Sequence, residues 1–100
     1  MPNSTHEDIR ELSSDTINMS RALNSLIEEL EAIDWYNQRV DVCDDQELAS
    51  ILAHNRDEEK EHASMLLEWI RRQDPAFDHE LKDYLFTKGS LTDIEHGQHE

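Results

Sequence analysis

The segment from Leu48 to Trp69, LASILAHNRDEEKEHASMLLEW, decides how this chain is read. Leu48, Leu52, Asn55, Glu59, His62, Leu66 and Trp69 recur at alternating steps of four and three, the spacing of one face of an α-helix. Four of the seven are large and apolar, so this face is expected to lie against another element. Glu59 and His62 sit in the middle of it. A buried carboxylate is costly unless it is paired or coordinates a metal, and no Lys or Arg shares the stripe.

Upstream, residues 5 to 40 contain no Gly or Pro. Ser4, Thr5, His6 and Glu7 read as a capping box that starts a first helix, expected over about 5–40. Leu12, Met19, Leu23, Leu26, Leu30 and Ile33 form one core-facing seam. Ala22, Leu26, Glu29, Ile33, Tyr36 and Val40 form a second, in which Glu29 is the one acid. Glu28, Glu31 and Asp34 point away from it. Ser13, Ser14, Asp15 and Thr16 are a weak patch where the helix could kink or fray.

Asp41 to Asp45 is the expected turn, and Asp44 with Glu47 has capping-box spacing, so the second helix should run over about 45–73. Asp74-Pro75 stops it. A short helix is expected over about 76–87, closed by Gly89, with one further turn over 90–95 and a disordered tail over about 96–100. The expected fold is all-α: one domain, an antiparallel two-helix hairpin with a short C-terminal helix.

With 100 residues and a net charge of −15, the chain has a small core and a strongly acidic surface. The charge argues against nucleic acid and anionic membranes as partners and suits cations. The single Cys43 forms no internal disulfide, which fits a reducing compartment. No apolar run approaches a membrane span, and the N-terminus has no signal-peptide core. A soluble cytoplasmic protein is therefore expected.

Glu59-Lys60-Glu61-His62 is a Glu-x-x-His motif, which sets a carboxylate and an imidazole one turn apart. With 13 Glu and six His, about 0.8 such motifs are expected by chance, so register carries the signal rather than the motif. Di-iron carboxylate bundles use a Glu from each of two helices and a Glu-x-x-His from each of two others. This chain supplies one Glu, Glu29, and one Glu-x-x-His. It holds half a site, and a two-fold dimer, two hairpins making a ferritin-like four-helix bundle, would complete it. Carboxylate with imidazole suits iron or manganese better than structural zinc. A buried polar network without metal is the competing reading of the three residues.

At these residues the chain resembles the encapsulated ferritins. The likeness lies in Glu28 to Tyr36 (EELEAIDWY), Ile51 to Ala63 (ILAHNRDEEKEHA), Leu67 to Arg72 (LEWIRR) and Tyr84 to Thr87 (YLFT). The resemblance implies an iron-oxidising enzyme, a ferroxidase, with Glu29, Glu59 and His62 of two subunits holding two irons per dimer and no organic cofactor. It implies that Glu28 and Glu31 gather metal at the mouth of the site. Trp35 and Tyr36 match aromatics flanking it, Tyr36 beside the ligands. Dimers are expected to form a ring, a decamer, carried as cargo inside an encapsulin shell that stores the mineral. Such proteins usually carry a C-terminal shell-docking peptide, and His99-Glu100 shows no clear candidate. Two alternatives stay open: a di-iron or di-manganese oxidase or peroxidase, and a non-catalytic helical dimerisation module.

Overall fold

A computed structural model describes residues 5–97, and these residues contain helices and no strand. Helix α1 spans Ser14–Val42, α2 Gln46–Gln73, α3 Pro75–Tyr84 and α4 Leu91–Glu95, with a short 3-10 turn at Ile9–Glu11 ahead of them. The all-α expectation holds. No described helix is long and apolar enough to cross a membrane.

The first helix begins about nine residues later than the sequence predicted. Ser4 lies outside the described residues, and Thr5 is not helical. The Ser13 hydroxyl accepts a hydrogen bond from the Thr16 amide at 3.1 Å and caps α1 there. The patch expected to fray the helix starts it instead, because short polar side chains satisfy the orphan amides of a first turn better than they support a helix interior. Before it, the Asp8 carboxylate accepts from the Arg10 amide and closes the 3-10 turn.

The turn between the long helices is Cys43 to Asp45. Asp45, rather than Asp44, caps α2 by accepting from the Leu48 amide at 2.9 Å. Asp74 stops α2 and caps α3 through the Phe77 amide, with Pro75 at the first helical position. Helix α3 closes at Leu85, and the following Phe86 takes a φ of 64°, so Gly89 is not the terminator. Ser90 caps the last turn, α4, as the extra turn over 90–95 required. Of the tail, 98–100 lie outside the described residues.

The chain divides into two compact units, one ending at Trp69 and one starting at Ile70. The first holds the hairpin. Arg56 donates to the Asn37 side chain at 3.4 Å, and His62 lies 3.6 Å from Glu29. Residue numbers fall on α2 as they rise on α1, so the helices are antiparallel. Of the two α1 seams, the one bearing Glu29 faces α2. Ala22 is buried and Leu26, Glu29, Ile33, Tyr36 and Val40 are half-buried, whereas Leu23 and Leu30 of the other seam are exposed. Ala63 is the buried residue on α2 in this unit. In the second unit Ile70 and Ile94 are buried, and Asp78 is held by Arg71 and by Lys82.

Candidate metal site

Glu29 projects from the middle of α1, and Glu59 and His62 project from one turn of α2. One donor atom from each lies within 4.8 Å of the others. His62 Nδ1 is 3.6 Å from Glu29 Oε2 and 3.6 Å from Glu59 Oε1, just beyond hydrogen-bond length. The side chains of Glu29 and Glu59 are 23% and 25% exposed, and that of His62 is 45% exposed. The site is therefore a shallow, half-exposed seat on the seam between the helices.

Its electrostatics are unbalanced. Glu29 Oε2 is buried and has no hydrogen-bond partner. Its carboxyl is held above the ordinary carboxylate range, first because only its protonated form can hydrogen-bond to Glu59, then by burial, then by the Glu59 charge, with His62 opposing. Two carboxylates side by side cannot both ionise at low cost without a cation between them. The residues fit a metal ion. Two donors bound to one ion at about 2.1 Å each stand up to about 4.2 Å apart, so this trio needs only a small inward movement.

The three residues taken from the sequence as ligands are thus brought together, and the others are not. Glu28 and Glu31 are exposed on α1 outside the trio. Tyr36 is half-buried two turns beyond Glu29, with the Arg39 guanidinium 5.3 Å over its ring. Trp35 is 52% exposed. His54 pairs with Glu58 at 3.7 Å on the surface. Sequence reasoning missed a recess of about 290 Å³ beside the site, lined by Asn18, Arg21, Ala22, Ser25, Leu66 and Trp69. Only Ala22, Leu66 and Trp69 of these stood on the stripes that periodicity revealed.

Comparison with known proteins places the chain in a family. The EncFtn-like family matches residues 4–88, and the chain belongs to it. The chain is 59% identical over 93 residues to an encapsulated ferritin-like protein of Rhodospirillum rubrum, covering 93% of this chain and 66% of that protein. It therefore spans just under two thirds of that relative's length. A ferritin-like protein of Thermotoga maritima is 52% identical over 95 residues, 95% of this chain and 83% of its own. A crystal structure of a protein from Nitrosomonas europaea superposes with a TM-score of 0.87 at 66% identity, covering 89% of this chain and 98% of that one.

Proposed function

We propose that this EncFtn-like chain is a ferroxidase, in which Glu29, Glu59 and His62 of two copies bind two Fe(II) ions as substrate. The observation that carries the reading is Glu29 Oε2, a buried acceptor with no hydrogen-bond partner, set within reach of a second carboxylate and an imidazole. Such an atom costs about 1–3 kcal/mol unless something meets it, and a cation would. One chain provides half of a two-iron donor set, so a second copy supplies the rest. The need for a partner also follows from burial, since Leu23, Ile27, Leu30, Ile51 and Met65 of the hairpin are all exposed.

The acidic surface concentrates Fe(II), and the exposed Glu28 and Glu31, flanking Glu29 in sequence, hand it to the trio. Metal entry competes with protonation of Glu29, whose carboxyl is held above its ordinary value, so binding strengthens as pH rises through that range. Hard carboxylate oxygens favour Fe(III) over Fe(II) and thereby assist oxidation. Two Fe(II) give up one electron each, and dioxygen takes both with two protons to leave hydrogen peroxide. His62 and Glu59 hold the pair from α2, Glu29 from α1, and Tyr36 stands two turns along the same face. The half-open seat lets Fe(III) leave. Storage of that iron inside an encapsulin shell in the cytoplasm, with dimers arranged in a ring as a decamer, completes the proposal. Family membership and the encapsulated relative in Rhodospirillum rubrum support the association with a shell.

Anaerobic Fe(II) loading followed by air, read by Fe(III) absorbance, tests it. Fast oxidation of about one iron per chain is expected for the wild type and none for Glu59→Ala. Oxidation no faster than the buffer blank in a protein that is still dimeric would sink it.

A further inference from the structure

We propose that Met65 is the side chain that the hydrogen peroxide formed at the metal seat oxidises, each copy trapping one peroxide oxygen as methionine sulfoxide beside its own His62. This rests on the ferroxidase reading above and adds to it the fate of the second product. Met65 follows His62 by three residues on α2. Side chains three apart on a helix are neighbours, with about 5–6 Å between their Cβ atoms. A long side chain such as methionine also leans back toward the helix N-terminus, over the residues three and four before it. For Met65 these are His62 and Glu61. The thioether therefore shares a turn with the imidazole, whose side chain is 45% exposed.

Met65 itself is 59% exposed. The other described sulfurs are worse placed. Met19 is half-buried and stands ten residues before Glu29, about 15 Å along α1. Cys43 lies fourteen residues after Glu29, about 21 Å away at the end of the same helix. Met1 lies outside the described residues. Peroxide leaving the half-exposed seat thus meets Met65 before any other described sulfur. A second copy over this face would lengthen the path from bulk solvent to Met65 and leave the path from the seat as it is.

The step balances. A lone pair of the Met65 sulfur attacks one peroxide oxygen, the O–O bond breaks and an S–O bond forms. Sulfur gives up two electrons. The hydroxide that leaves takes the proton of the transferred oxygen and departs as water. Two Fe(II) per dimer yield one peroxide against two Met65 side chains, so one round of iron oxidation converts at most about half of them. The sulfoxide is polar where the thioether was apolar, and methionine sulfoxide reductases restore it.

The test loads the protein anaerobically with Fe(II), admits air in the presence of excess catalase, and maps oxygen addition by mass spectrometry. Trypsin puts Met19, Cys43 and Met65 in three different peptides, and fragmentation separates Met65 from Trp69. A gain of about 16 Da is expected on Met65, at least about tenfold above that on Met19 or Cys43. Glu59→Ala under the same iron and air should show no more than the iron-free blank. Met65→Leu, nearly equal in volume, should oxidise iron within about twofold of wild type. Without catalase it should release more free peroxide, rising toward about one per two irons oxidised.

Normal Fe(III) formation with Met65 unmodified, or with oxygen spread evenly over Met65, Met19, Cys43 and Trp35, overturns the proposal and leaves the ferroxidase reading intact. Loss of the Met65 signal in catalase also overturns it, because the oxidant is then peroxide from bulk solvent. Absence of Fe(III) formation overturns both.

Discussion

Replacing Glu29 by Gln should make the metal-free protein more stable and the metal-loaded protein less so. In the wild type, Glu29 Oε2 is a buried acceptor without a partner, and the neighbouring Glu59 and burial hold its carboxyl above its ordinary value. A buried unsatisfied group costs about 1–3 kcal/mol. Glu29 keeps 23% of its exposure and relieves part of the cost by protonation, so the lower end, about 1 kcal/mol, is the expected gain. The Gln amide can donate to Glu59 and adds no charge. For a chain of this length that gain raises Tm by about 4–8 °C.

The pH dependence has a definite sign. Glu29 titrates above its ordinary value of 4.5 in the folded state, so the folded protein holds the proton more tightly than the unfolded one. Its stability contribution is fully present below that ordinary value and is lost as pH rises through the raised one. The advantage of Glu29→Gln is therefore largest at neutral pH and closes on acidification. Anaerobic Fe(II) at a hundred times its Kd stabilises the wild type by about 2.7 kcal/mol. The variant, short of one donor, gains less, and the order of Tm inverts. Calorimetry at equal protein concentration, at pH 7 and pH 4, with and without Fe(II), reads all four conditions. A variant that melts below wild type without metal at pH 7, or an unchanged order with metal, would refute the reasoning.

Two further outcomes follow from the caps and the second unit. Ser13→Ala removes the cap of α1 and should cost about 1 kcal/mol, read by urea denaturation, while Ser13→Asp should retain it. Asp78 is held below the usual carboxylate range by Lys82 and then Arg71, so its contribution is present above that range and lost as pH falls through its depressed value. Asp78→Asn should lower the melting temperature at pH 7 and do so progressively less on acidification, the gap between the two melting curves closing.

The hairpin and the identity of the trio were legible in the sequence because both are periodic facts. Seven-residue spacing set α2's inward face, and one acid on each of two apolar stripes marked Glu29 and Glu59 as out of place. The start of α1 was misread because a capping box at Ser4 and the Ser13 patch offer the chain two similar local solutions, and side-chain geometry decides between them. The α3 terminus was misread because Gly is the usual left-handed residue, yet here Phe86 adopts that conformation. Composition along the chain carries no sign of either choice.

By itself, then, the sequence determined helical type, antiparallel pairing and which two acids and one imidazole share the seam, all of which follow from residue type and a period of 3.6. Only the tertiary structure decided which α1 seam meets α2, that one oxygen of Glu29 is left without a partner, and that a recess opens beside it. These depend on distances between residues some 30 to 50 positions apart. Such distances are fixed by how two helices rotate and settle against one another, which no local pattern encodes.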